Sequence, residues 1–515
     1  MAASLSGAPF TNVDPETAKY MRSKGLDPHE LDRSMENILS NLRQPPAPPV
    51  SATALLSARF RGGGGVDRIS GLPDALLRDI VSRLPVKDAA RTAALAARWR
   101  GVWRSAPLVL ADVFLLSDGP NLPPSADTRA AVSRVFASHP GPFRCVHLLC
   151  SRMGGAHQAE LTRWLRLLAA RGVQELVLVN RPWPREVPLP TTLFTISTLT
   201  RLYIGVWKFP DVSGLRGVSF PNLRELGICS VELKDGDIDA VVARSPALEI
   251  LNIAGNFKAV NLRLVSNSLR CVQVCASVMK SIAVVNAPRL ERLILGNAVH
   301  PDGALCTRLK IRNAPKLRLF GYLEPGKHAL EINDTVIMAG VEVRASMMLT
   351  TVKVLGLRVH FGVQNDINMV ATFLRCFPNV EALHIASEKC DQPTGKLNLK
   401  FWEDQAGPIV SVLLRIGVMT FSAFRGEQYE LSFLQYFFES ARMLKYAVIA
   451  MENHIFTSLS ADEMFDTVKN MNRTKWATNF DLAVMGRMIP REEHSGPFSR
   501  EQILVMETLL HQLKS

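Results

Sequence analysis

Paired cysteines are missing from this sequence. Its eight, Cys145, Cys150, Cys229, Cys271, Cys275, Cys306, Cys376 and Cys390, are scattered without a C-x-x-C, so neither a disulfide framework nor a zinc site is expected and buried reduced thiols are the reading. Long apolar runs are missing too. The opening MAASLSGAPFTNVDPETAKY lacks the core of a signal peptide, and no later stretch reaches the length of a membrane span. A cytosolic or nuclear protein with no membrane partner is expected, and Asn472-Arg473-Thr474 is then a coincidental glycosylation pattern. Catalytic signatures are absent as well: there is no G-x-S-x-G elbow, Walker loop, H-E-x-x-H or dinucleotide fingerprint. No enzyme, cofactor or metal is expected. Acidic charge is in deficit, with 47 acidic against 60 basic residues giving +13, a balance that favours an acidic partner. The excess is spread along the chain and forms no basic tract, so a soluble basic protein is favoured over a nucleic-acid binder.

What is present is strongly organised. With 47% apolar residues over 515 positions, the chain can bury more than one core. Residues 1–66 hold QPPAPPV and the run Gly62 to Gly65, the composition of a leader and linker that packs no core. Within it, Leu31, Met35, Ile38, Leu39 and Leu42 stand at the spacing of a short amphipathic helix. From Ile69 the pattern becomes ISGLPDALLRDIVSRLPVKDAARTAALAARWRGVWRSAP, which predicts two or three short helices. Pro73 suits a first helical turn, Leu76, Leu77, Ile80, Val81 and Leu84 make one apolar face, and Pro85 ends that helix. Trp99 and Trp103 stand four apart on the next helical run, Asp88 to Trp103.

Beyond about residue 140 a short L-x-x-L-x-I unit recurs. It reads VQELVL, LTRLYI, FPNLRELGI, SPALEILNI, NSLRCVQV, APRLERLIL, APKLRLFGY (Leu317, Phe320, Tyr322), TVKVLGL and FPNVEALHI. From Leu223 through Leu248, Leu269 and Leu290 to Leu317 the steps are 25, 21, 21 and 27 residues, within the range of leucine-rich repeats. Each unit supplies one short strand that cannot bury its apolar face alone, so a curved solenoid is expected. Its concave surface would offer charges such as Arg224, Glu225, Glu249, Arg270, Glu291 and Arg292. The stretch from about 321 to 350 lacks a clean repeat. His384 reads as a strand residue, and FLQYFF (433–438) as a helix-packing core.

The block from Ile69 to Pro107 resembles the F-box: Leu72-Pro73, Leu76, Leu77, Ile80, Leu84-Pro85, Val86, Asp88, Arg91, Leu95, Arg98-Trp99 and Trp103 stand at that family's positions, with Ala96 in place of a usual Ser. The order of F-box, imperfect repeats and a segment with Phe401-Trp402, Phe424-Arg425-Gly426-Glu427, Glu430-Leu431, Phe433, Tyr436-Phe437, Ala441-Arg442 and Leu444-Lys445 is similar to plant F-box/LRR proteins that end in an FBD domain. Ile409 to Leu414 replace a usual Cys-Leu, which leaves the strand pairing open there, and 452–515 carry no recognised pattern. The resemblance implies an α+β multidomain chain: 1–66 disordered leader and linker, 67–112 a small helical F-box, 140–375 an α/β leucine-rich repeat solenoid, 376–451 an FBD-like part, and 452–515 a C-terminal extension. It implies a non-catalytic substrate-recognition subunit of an SCF-type ubiquitin ligase. The Skp-type adaptor, which hangs from the cullin, would be bound through Leu72, Pro73, Ile80, Leu84, Pro85, Val86, Asp88, Arg91, Leu95, Trp99 and Trp103, and an unknown protein substrate through the repeats. A repeat scaffold outside any ligase, for protein or nucleic acid, is the alternative.

Overall fold

The computed structural model describes residues 69–84, 86–115, 126–180, 187–211, 217–256, 258–296, 306–390, 401–404, 407–452 and 475–485, with a few isolated residues between 19 and 29 and between 463 and 471. The Pro-rich and Gly-rich leader, most of its amphipathic segment, Pro85, Asn472 and most of the C-terminal extension lie outside the described residues. The chain forms two compact units, Met1–Phe257 and Lys258–Ser515. Among the described residues no helix is long and apolar enough to cross a membrane.

The first unit begins with three short helices, α1 (Asp74–Ser82), α2 (Val86–Thr92) and α3 (Ala97–Ser105). Pro73 holds the N-cap of α1 in an extended conformation, φ −56° and ψ 146°, rather than a place in its first turn. The anticipated run from Asp88 to Trp103 is broken in two: turn hydrogen bonds close over Ala93, Ala94 and Leu95, and Ala96 is extended. Strand β1 (Leu108–Ala111) follows, and α1 and α2 pack on it. It opens a parallel sheet that continues through β2 (Phe143–Leu148), β3 (Glu175–Val179), β4 (Arg201–Gly205), β5 (Glu225–Cys229) and β6 (Ile250–Ala254).

The registers explain the L-x-L pattern. Val146, Leu176, Leu202, Leu226 and Leu251 pair in one row, and Leu148, Leu178, Ile204, Ile228 and Ile253 in a second. Because side chains alternate along a strand, both rows face the same side. Each of these residues is buried, and such a side chain contributes roughly 1.5–3 kcal/mol to folding. The first leucine of each unit enters from a turn, as where Leu223 N–H donates to the Phe220 carbonyl and Leu248 N–H to that of Ser245. Helices α4 (Ala126–Ser138) and α5 (Gln158–Ala170) cover the apolar rows near β2, and a further helix, α6 (Asp237–Ala243), lies between β5 and β6 in the chain. There the Phe136 ring meets Phe143 and Trp164 edge-on at 5.3 and 5.6 Å.

Asp112, fully buried just after β1, accepts hydrogen bonds from Leu149 N–H (2.9 Å), Cys150 N–H (2.8 Å) and the Ser151 hydroxyl (2.9 Å). One carboxylate thereby ties the end of the helical block to the loop that leaves β2.

The second unit carries two sheets. One continues the repeat rhythm through β8 (Cys271–Cys275), β10 (Arg292–Gly296), β12 (Leu319–Leu323), β15 (Val354–Val359), β16 (Ala382–Ser387), β17 (Val418–Phe424), β18 (Tyr446–Met451) and β19 (Asp481–Met485), all parallel. The other pairs β7 (Val260–Val265), β9 (Met279–Asn286), β11 (Thr307–Ile311) and β13 (His328–Ile332) in parallel, and closes with antiparallel β14 (Thr335–Val336). The stretch from 321 to 350 therefore continues the parallel pairing through β13 and ends it with the antiparallel β14. In β12 a register shift places Leu323 opposite Leu357, the place expected for Tyr322.

In the C-terminal part, Val410–Leu414 is a short helix, α9, after α7 (Gln364–Cys376) and α8 (Phe401–Asp404), so the sheet pairing passes to β17 without it. Helix α10 (Gln428–Ser440) buries Phe433, Phe437 and Phe438 as a packing core. The carboxylate of buried Glu430 accepts from the Ser387 hydroxyl (2.6 Å) and from the N–H groups of Arg425 and Glu427 (3.0 Å each). Burial pushes its pKa up against the pull of Ser387 and Arg425. Beyond the recognised segment, Trp476 and Phe480 stack 4.7 Å apart and lie against Phe438.

Replacing Asp112 by Ala leaves buried N–H groups without acceptors, so a loss of about 3 kcal/mol of unfolding free energy is expected, with Asp112→Asn retaining part of it. The urea midpoint of the two variants against the parent measures this; an unchanged midpoint for Asp112→Ala would contradict the assigned role.

Candidate docking face and strand-face network

Helix α1 divides the leucines that the sequence placed on one face. Leu77 and Val81, one turn apart, are fully buried, whereas Leu76 and Ile80, rotated about 100° from them, are 52% and 38% exposed. Pro73 is exposed at the head of the same stripe, and Leu72 and Leu84 are half-buried. Ile69 and Leu95 add exposed apolar surface, at 58% and 68%.

Helix α3 presents this stripe. The Arg98 guanidinium forms an ion pair with Asp74 at 2.7 Å and donates to the carbonyls of Leu72 (2.6 Å) and Ser70. The Trp99 indole N–H donates to the Ser70 hydroxyl at 3.1 Å. Together they fix the entry of α1, a role of Arg98 and Trp99 that the sequence pattern did not disclose. Of the site residues named from sequence, Val86 and Trp99 are buried within the block and have little surface to offer. Trp103 is half-buried, its ring 4.7 Å from that of His139. Asp88 and Arg91 pair with each other at 2.7 Å. Leu76 is an exposed apolar residue of the same stripe that the named set left out; its i, i+4 relation to Ile80 was the available signal.

The charges flagged on the repeats largely neutralise one another across adjacent units. Arg224 pairs with Glu249 at 2.7 Å in the first unit, and Arg270 with Glu291 at 3.0 Å in the second, where Lys353 and Glu381 do likewise at 2.5 Å. In the first unit a polar network runs across the strand face. His147 Nε2 is 2.9 Å from Glu175, Arg201 bridges Glu175 (3.3 Å) and Glu225 (3.1 Å), and the Tyr203 hydroxyl contacts Glu225 and lies 3.3 Å from the Asn252 amide nitrogen. Gly227 makes this possible, since a Cβ there would fall 2.1 Å from the Tyr203 ring. Cys145 joins the same network, its thiol 3.4 Å from Glu175. Among the described residues, Cys145, His147 and Glu175 are the group whose donor atoms converge closely enough for a metal ion.

In the second unit the corresponding face is apolar: Ile294, Leu319, Tyr322, Val354, Ala382 and Ala386 form a buried cluster. His384 lies in β16 beside it, its ring edge-on to Tyr322 at 5.0 Å. Burial, assisted by the charge of Arg358, pushes the His384 pKa down to about 3. The folded state thus refuses a proton that the unfolded chain accepts below its usual 6.5. Stability is lost as pH falls from 6.5 towards 3, at about 1.4 kcal/mol per pH unit while the two states differ by one proton. His384→Gln is expected to flatten the fall in unfolding free energy between about pH 5.5 and 4, where the difference is close to one proton, by about that slope. Parallel slopes for the two proteins would refute it.

Three family models match the chain: F-box domain over residues 69–110, LRR repeats of the FBD-associated F-box protein At5g56370 over 161–385, and FBD over 404–449. Among similar proteins of Arabidopsis thaliana, F-box/LRR-repeat protein At3g26922 is 32% identical over 263 residues, 50% of this chain and 76% of that protein. F-box/FBD/LRR-repeat protein At1g13570 is 26% identical, covering 47% and 56%, and FBD-associated F-box protein At4g13985 is 28% identical, covering 46% and 53%. The chain thus spans little over half the length of the latter two. With its three short helices, its parallel repeat strands and its C-terminal matched segment in that order, the chain belongs to the plant F-box/LRR-repeat proteins that carry an FBD part.

Proposed function

We propose that this chain is the substrate-recognition subunit of an SCF-type cullin-RING ubiquitin ligase, a non-catalytic adaptor that works by proximity in the cytoplasm, the nucleus or both. The F-box helices bind the Skp-type adaptor, the cullin carries the assembly, and the repeats hold a protein substrate for ubiquitination. The observation that carries this reading is the exposed stripe of Pro73, Leu76 and Ile80, with its entry held by Arg98 and Trp99 and with Ile69 and Leu95 of the same helical block also exposed. An apolar stripe on so short a helical block gains most by burial against a partner. Between Asp67 and Arg104 eight basic residues face four acidic ones, which favours encounter with an acidic adaptor at a salt-dependent rate.

The buried and exposed leucines of α1 separate binding from folding. Because Leu76 and Ile80 face outward, Leu76→Asp with Ile80→Asp is expected to weaken adaptor binding by at least about 100-fold, as two lost anchors would, while the melting temperature stays within a few degrees. Titration calorimetry with purified Skp-type adaptor and a parallel thermal melt make the comparison. Native affinity in the double variant would sink the assignment, and a native chain that does not bind would leave the repeat scaffold as the working reading. Trp99→Ala, in contrast, should lower stability by about 3–4 kcal/mol through its buried volume, read in the same thermal melt.

A further inference from the structure

We propose that Cys145, His147 and Glu175 form a zinc-binding site that clamps β2 to β3, a property beyond the adaptor role and independent of it. Cys145 and His147 stand at i and i+2 on β2, so both side chains leave the same face of the strand. Glu175 lies directly across from Cys145 in the parallel register. The three donor atoms lie within 4.8 Å of one another, with His147 Nε2 at 2.9 Å and the Cys145 sulfur at 3.4 Å from the same Glu175 oxygen. Donors around a tetrahedral zinc are separated by about 3.3–3.7 Å, given bonds of about 2.0–2.3 Å. The Glu175 oxygen is already close to that spacing from both partners, and rotation of the Cys145 and His147 side chains, whose donor atoms lie within 4.8 Å of each other, completes it.

The chemistry of the donors selects the metal. A thiol, an imidazole and a carboxylate suit zinc, whereas magnesium and calcium take oxygen alone. All three residues are buried, at 4%, 0% and 9% exposure, so hydration is already removed and closure costs little further ordering. Arg201 holds the second Glu175 oxygen at 3.3 Å, an outer contact that orients the first oxygen towards the metal.

The balance of charge and protons is simple. Zinc replaces the thiol proton, which leaves to solvent, and takes the imidazole lone pair at Nε2 while the ring proton resides on Nδ1. Thiolate and carboxylate then neutralise the two charges of the ion, and water supplies the fourth ligand. No C-x-x-C marks these ligands, because strand register and not local spacing brings them together.

The test uses the full chain carrying Cys306→Ser, since that thiol is exposed. After incubation with zinc and dialysis, elemental analysis should find about one zinc per chain, and almost none in a variant with Cys145→Ser and His147→Gln that keeps its circular dichroism. Cobalt in place of zinc should give the chain a thiolate-to-cobalt charge-transfer band, lost on Cys145→Ser. A chain that retains no zinc, or a folded double variant that retains as much as the parent, overturns the site. Should the double variant unfold, the cobalt spectrum of the parent decides: the thiolate band upholds the site, and its absence overturns it.

Discussion

Everything in this molecule rests on parallel strand register. A repeat strand of five residues cannot bury its apolar side alone, and its backbone groups find partners only in the strand before and the strand after. Once Leu176 pairs with Leu202, and Leu202 with Leu226, the rows of leucine and isoleucine become continuous and each unit is stabilised by its neighbours. The same register brings opposite charges of successive units together, as with Arg224 and Glu249. A shift of one residue would turn both the apolar rows and the ion pairs to the wrong side.

The helical block depends on this frame through β1 and Asp112. Strand β1 pairs with β2, and the Asp112 carboxylate then holds the loop beyond β2. With its base fixed in that way, α1 can keep Leu77 and Val81 inward and present Leu76 and Ile80 outward. Arg98 and Trp99 complete the arrangement by fixing the turn from which α1 starts. The buried and the exposed apolar side chains are therefore different residues of one short helix, although in the sequence they form a single apolar run.

Much of this was legible in the amino-acid sequence, for physical reasons. The L-x-x-L-x-I units are local and repeated, so Leu202, Ile204, Leu226 and Ile228 announce their strand, and the Leu-Pro and Arg-Trp motifs announce the helical block. The strands β7, β9, β11 and β13 escaped notice because their signal is a plain alternation, Val260, Leu262, Leu264 for example, lying between the stronger units. Strand β19 was missed because its short alternation, Leu482 and Val484, stands beyond the last repeat unit in a segment with no recognised pattern. Inward and outward leucines of α1 could not be told apart without knowing what lies against the helix. Nor could spacing reveal the meeting of Cys145 and His147 with Glu175, which are 30 and 28 residues apart and joined only by strand pairing.

The proposed docking of an adaptor on the outward face of α1 is read by size-exclusion chromatography of the full chain mixed with purified Skp-type adaptor and cullin. All three proteins are expected to elute together as one species containing a single copy of each. A folded chain that elutes alone, with adaptor and cullin unshifted, would contradict it.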